Sequence, residues 1–256
     1  LIEIHREILA GIPALHAVKS DNMNKKLPLI FFVHGFTSAK EHNLHFAYLL
    51  AEKGFRVILP DARLHGERTD GRPEKEMMYE FLDIVIHTIA ELDQMKNALA
   101  TKALISDHIG VIGTSMGGMI TFGALTQYDW IKAGASLMGS PTFETFVRGQ
   151  IEALKREGIN LPHTDNELEE MYQTVKKYDV SVQPETLNDR PLFIWHGKQD
   201  VVVPFGPTYD FYLTVRDKYK KYPERLQFLA DERAGHKVTR EAFLKTVEWF
   251  TTYLQS

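Results

Sequence analysis

Residues 109–118 read I-G-V-I-G-T-S-M-G-G, and this stretch constrains the chain more than any other. Ile109-Gly110-Val111-Ile112 has the composition of a central strand, and residues 116–127 resume with a helical pattern. Between them stands Gly113-Thr114-Ser115-Met116-Gly117, a G-x-S-x-G pentapeptide. A strand that passes into a helix this abruptly strains the backbone at the serine. Bulk two positions to either side would strike the neighbouring strand and helix, so both places take glycine. The turn lifts the serine hydroxyl clear of the sheet and aims the first helical N–H groups at the same point, where they favour negative charge. With 17 glycines and 8 serines in 256 residues, about 0.03–0.04 such pentapeptides are expected by chance, before the flanking strand and helix are required. Ser115 is therefore the candidate nucleophile.

The rest of the chain fits the sheet that this turn demands. Short apolar runs alternate with longer amphipathic stretches, which predicts βαβ units and a mostly parallel sheet with helices on both faces. Residues 1–18 differ. Two alternating runs flank Gly11, which predicts an N-terminal antiparallel hairpin. Further strands are expected at 29–33, 55–59, 133–138, 191–195 and 225–230, and helices at 42–53, 76–99, 206–220 and 239–254. Around fifty residues separate Met138 from Pro191, far more than one helix and its loops need. Phe143, Phe146, Val147, Ile151 and Leu154 recur on one helical face within that gap, and Leu168, Met171, Tyr172, Val175 and Tyr178 on another. We expect one domain over 1–256, with a two-helix cap insertion at about 141–187 lying over the end of the sheet.

A serine hydroxyl is a weak nucleophile until a base takes its proton, and a carboxylate usually orients that base. In folds with this elbow the acid follows the serine in sequence and the histidine follows the acid. Asp200 lies just past the 191–195 strand in H-G-K-Q-D-V-V-V-P, where open α/β sheets place their chemistry. His236 ends the loop after the 225–230 strand, the slot this order leaves for a base. Acyl transfer also needs N–H donors for the oxygen that becomes negative. The expected donors are the backbone N–H groups of Met116, next after the nucleophile, and of Phe36, in the loop His34-Gly35-Phe36-Thr37-Ser38. His34 and His196 each precede a glycine at a strand end and read as loop-shaping groups. His65 is expected to approach the pocket from the loop after the second parallel strand. Phe143, Phe146, Met171 and Tyr172 are the other candidates for the pocket wall.

Composition removes competing classes. Thirty Lys and Arg stand against 34 Asp and Glu, a formal net charge of −4, so a strongly basic nucleic-acid binder is excluded. The chain has no cysteine, hence no disulfide, thiolate metal site or cysteine nucleophile. It has no H-E-x-x-H and no close His/carboxylate cluster, and neither metal nor cofactor is expected. No apolar run reaches membrane-helix length, and the first residues, L-I-E-I-H-R-E-I, lack the apolar core of a signal peptide. A cytoplasmic protein without a membrane or nucleic-acid partner is expected, as monomer or homodimer.

Five segments together resemble the α/β-hydrolase superfamily: V-H-G-F at 33–36, D-A-R-L-H-G-E-R at 61–68, G-T-S-M-G-G at 113–118, H-G-K-Q-D-V-V-V-P at 196–204 and A-G-H at 234–236. Within it the chain looks like the small bacterial serine esterases of the dienelactone-hydrolase and prolyl-oligopeptidase-type group. The resemblance implies hydrolysis of a small-molecule carboxylic ester through an acyl-enzyme, with Ser115, Asp200 and His236 as triad. The chain departs from dienelactone hydrolases in lacking a cysteine nucleophile. Leu64 stands where relatives often carry glycine, and no H-G-G-G is present. The same triad would serve a thioesterase, a lactonase or a small peptidase, and the different-class alternative is a non-catalytic binding protein of this fold.

Overall fold

The sheet begins with two antiparallel strands, β1 (Ile2–Leu9) and β2 (Ile12–Lys19), joined through Ala10 and Gly11. Both linking residues have positive φ, the two-residue hairpin turn whose twist matches that of paired strands. In this computed structural model, which describes residues 1–156, 158 and 163–255, six further strands follow: β3 (Leu27–Val33), β4 (Arg56–Pro60), β5 (Ile105–Thr114), β6 (Ile131–Leu137), β7 (Leu192–Gly197) and β8 (Leu226–Asp231). They form one eight-stranded sheet in the order β1-β2-β4-β3-β5-β6-β7-β8. β2 meets β4 antiparallel, and every pairing from β4 through β8 is parallel.

The parallel strands are buried on both faces, which is why they read as continuous apolar runs. Along β3, Phe31 and Val33 join one core cluster while Ile30 and Phe32 join the other. The helices are α1 (Leu44–Glu52), α2 (Glu74–Tyr79), α3 (Phe81–Thr101), α4 (Met116–Gln127), α5 (Phe143–Arg156), α6 (Asp165–Val175), α7 (Phe205–Arg216) and α8 (Arg240–Leu254). The first cluster packs α3, α4 and α7 on one face of the sheet, and the second packs α1 and α8 on the other.

Local chemistry sets the helix ends. Gly54, at φ +95, stops α1. Thr164 and Glu167 form a reciprocal capping box on α6, and the Thr239 side chain accepts the Ala242 N–H at the start of α8. The single helix expected over 76–99 is two. Glu80 leaves helical geometry between α2 and α3, where its carboxylate pairs with Arg63 (3.3 Å) and with Arg72. The break frees α2 from the direction of α3. The helix expected over 206–220 ends at Arg216, and residues 218–221 form a separate tight turn.

Candidate active site

Ser115 sits between the end of β5 and the first turn of α4, at φ +55 and ψ −116. Few side-chain-bearing residues tolerate that conformation. The flanking glycines are required by contact. A Cβ on Gly113 would stand 2.1 Å from the Gly117 carbonyl carbon, and one on Gly117 would stand 2.1 Å from the Val33 oxygen. Strand β3, strand β5 and helix α4 therefore close on one another here only because neither position carries a side chain.

Two loops at the C-terminal ends of β7 and β8 bring Asp200 and His236 to this point. His236 Nε2 lies 2.8 Å from Ser115 Oγ, and His236 Nδ1 lies 2.7 Å from Asp200 Oδ2. With Nδ1–H donated to the carboxylate, Nε2 is the bare nitrogen and accepts the serine hydroxyl. Asp200 is buried and fully engaged. Its Oδ1 accepts the N–H groups of Val202 and Val203, both at 2.9 Å. His196 Nε2 stands 3.4 Å from Oδ2 and donates to the Val203 oxygen at 2.9 Å. Burial alone would raise this carboxyl, but hydrogen bonds from His196, His236 and Val203 outweigh it and hold the group well below the usual carboxylate range. Asp200 is an anion at any ordinary pH.

Opposite the serine, the loop after β3 is tied to the loop after β4. His34 Nδ1 lies 2.8 Å from the Gly35 oxygen, and its Nε2 accepts the Ala62 N–H at 3.0 Å. His65 Nδ1 lies 2.8 Å from the Arg63 oxygen, and its Nε2 accepts the Thr37 N–H at 3.0 Å. Burial keeps both rings neutral, lowering His34 to about 4. Buried Asp61 adds a third tie. It accepts the Lys40 N–H at 3.1 Å and pairs with buried Lys40 Nζ at 2.5 Å. Burial opposes both charges, yet the mutual bond keeps the carboxyl low and the amine high. Neither the Phe36 nor the Met116 N–H has a hydrogen-bond partner among the described residues. Both residues line the same cavity as Ser115.

That cavity has a volume of about 310 Å³ and opens on Ser115 and His236. Its wall is mainly apolar: Met119 from α4, Phe146, Val147, Ile151 and Leu154 from α5, Leu168 and Met171 from α6. Of the expected pocket residues, Phe146 and Met171 lie on this wall. Three others do not. Phe143 is wholly buried in the core one turn before Phe146. Tyr172 faces Arg148, whose guanidinium carbon is 3.7 Å from its ring centre. His65 is sealed behind Phe36, with ring centres 5.4 Å apart. Met78, Tyr79, Phe81 and Leu82, from α2 and the start of α3, extend the wall, and Thr37, Glu74, Gln150 and His163 are polar members of it. The long amphipathic helix expected there gave no sign of them, because the break at Glu80 decides which residues turn toward the serine. Among the described residues, no three His, Asp or Glu side chains gather as a metal ion would need, and no helix is long and apolar enough to cross a membrane.

Known proteins resemble this chain over most of its length. Residues 42–256 match the family described as the prolyl oligopeptidase family. The chain is 50% identical over 255 residues to YitV of Bacillus subtilis, which bears the provisional name of an esterase; the match covers 99% of this chain and 100% of that protein. It is 35% identical over 208 residues to the esterase YjfP of Escherichia coli, covering 80% and 81% of the two chains. Among solved structures, the Thermus thermophilus protein TT1662 shares the fold with a TM-score of 0.77 at 20% identity, over 100% of this chain and 99% of that one. The chain belongs to the prolyl oligopeptidase family of α/β-hydrolases and is a hydrolase of the serine-esterase type.

Proposed function

We propose that the chain hydrolyses carboxylic esters of small to medium acyl chain through an acyl-enzyme on Ser115. The observation that carries this reading is the hydrogen-bonded series Ser115–His236–Asp200 at the mouth of an apolar cavity. In the first half-reaction Ser115 Oγ attacks the ester carbonyl carbon while His236 Nε2 takes its proton. Asp200 steadies the imidazolium and holds the ring in the tautomer with Nδ1–H. The N–H groups of Met116 and Phe36 receive the oxygen as it becomes negative, worth about 10²–10³ in rate for each donor. His236 then gives its proton to the departing alcohol. In the second half-reaction water attacks the acyl carbon, again losing its proton to His236, and the free acid leaves Ser115.

The cavity wall suits an acyl chain better than a peptide, since it offers aliphatic and aromatic surface and few polar groups. We assign α5 and α6, within residues 141–187, the role of a cap over the acyl group, with α2 as the opposite wall. The test is a p-nitrophenyl ester series from acetate to decanoate, with wild type and Ser115→Ala. Turnover should rise beyond acetate, fall before decanoate as the cavity fills, and vanish in the mutant. An active Ser115→Ala protein would overturn the assignment.

A further inference from the structure

We propose that His34 is a positioning residue for the oxyanion hole, holding in place the peptide whose N–H, that of Phe36, receives the charge together with that of Met116. The proposal rests on acyl transfer at Ser115. Its starting point is the tautomer of a wholly buried ring. The Ala62 backbone N–H can only donate, and it points at His34 Nε2 from 3.0 Å. Nε2 is therefore bare, and the ring proton sits on Nδ1, 2.8 Å from the Gly35 oxygen. A backbone N–H on a neighbouring loop thus dictates which His34 nitrogen donates.

The Gly35 oxygen and the Phe36 nitrogen belong to the same peptide unit. That unit is planar and trans, so its C=O and N–H point in opposite directions. Anchoring the carbonyl toward the buried ring turns the N–H away from it. The peptide also runs alongside the nucleophile, because a Cβ on Gly35 would stand 3.4 Å from Ser115 Cβ. The next peptide is held as well, since Thr37, itself at φ +59, donates its N–H to His65. Phe36 is thereby fixed from both sides. A hydrogen bond to the carbonyl has a second effect: it polarises the amide and makes its N–H the stronger donor.

A ring that merely fills a buried slot would cost stability when replaced and leave the chemistry of the folded molecules alone. Two conservative variants separate the roles. An asparagine amide reaches where Nδ1 stands, so His34→Asn keeps a donor for the Gly35 oxygen and loses the Ala62 bond. A glutamine amide reaches where Nε2 stands, so His34→Gln does the reverse. Each is assayed with a p-nitrophenyl ester and with a fluorophosphonate. The latter forms an Oγ–P bond at Ser115, expels fluoride and passes the serine proton to His236, so it loads the same hole without needing an ester substrate.

For His34→Gln, kcat and the phosphonylation rate per folded molecule should fall about 10–100-fold, with KM within about threefold. His34→Asn should stay within about fivefold of wild type. Equal losses in both variants, or a lower melting temperature with unchanged rates, would overturn the proposal. A wild type that reacts with the fluorophosphonate and with no ester would refute the ester reading, and the phosphonylation series would still decide the role of His34. Nitrogen-15 NMR of the wild-type histidines needs no variant to fold. It should find the His34 proton on Nδ1, and a proton on Nε2 instead would end the argument.

Discussion

Ser115 carries a backbone conformation that glycine would adopt at less cost, and the cost can be measured. Replacing it by alanine or by glycine removes the hydroxyl and its bond to His236 equally, so the difference between the two variants isolates the backbone. A side-chain-bearing residue held in a sparsely populated region costs about 1–3 kcal/mol. Against this, glycine loses more freedom on folding, a penalty of about 0.4–1 kcal/mol. The balance favours Ser115→Gly over Ser115→Ala by about 1 kcal/mol, which in a chain of this size is roughly 2–4 °C in melting temperature. The usual order is the opposite. At Ala90, exposed in the middle of α3, a change to glycine should lower stability by about 1 kcal/mol. The assay is thermal unfolding followed by circular dichroism on all four proteins, with wild type as reference. If Ser115→Ala melts at or above Ser115→Gly, the turn is not strained at this residue and the account given of it is wrong.

Asp200→Asn should lower kcat by about 10³–10⁴ with little change in KM, because an amide can present N–H to His236 Nδ1 and so favour the wrong tautomer; a loss below tenfold in an ester assay would contradict the role given to Asp200. Arg190 donates to the backbone oxygens of Leu125, Tyr128, Ile131, Thr186 and Leu187 at 2.5–3.2 Å, far from the serine. Arg190→Ala leaves several of these buried carbonyls unpaired and should cost about 2–4 kcal/mol in denaturant unfolding, with activity per folded molecule unchanged. Acid should destabilise the fold well before carboxylates titrate. Burial holds His34 at about 4 while an unfolded chain takes up that proton near 6.5, so its contribution is complete above 6.5 and is lost as pH falls toward 4. The loss is about 3 kcal/mol from His34, and His16 and His65, also lowered by burial, act in the same direction. Urea unfolding at pH 7.5, 5.5 and 4.5 measures it, and a flat profile would count against the neutral, buried state of these rings.

Strands and elbow were legible because their signals are local. A doubly buried strand must be a continuous apolar run, and the crowded turn must have glycine on both sides of the serine. The placing of Asp200 and His236 was legible for a topological reason, since each lies in the loop that follows the C-terminal end of a parallel strand. The cavity wall was not. A helical period tells which face of α5 is apolar and cannot tell depth along it, so Phe143 and Phe146 look alike in sequence although the first is core and the second faces the cavity. Tyr172 shares its face with Met171 by spacing but is drawn to Arg148. His34 and His65 each find a backbone partner 28 residues away, a pairing that exists only once β3 and β4 lie side by side.

Strands β6 and β7 pair directly, from Gly134 with Leu192 to Leu137 with Trp195, so the sheet is continuous beneath the helices that interrupt the chain between them. Ser115, Met116 and Phe36 come from before that interruption, Asp200 and His236 from after it. Phe143 at its start and Val175, Val180 and Leu187 toward its end root it in the core, and between them α5 and α6 line the cavity. Substitutions along α5 and α6 would alter what the cavity admits and leave the β6–β7 pairing, with the loops that carry Ser115, Asp200 and His236, in register.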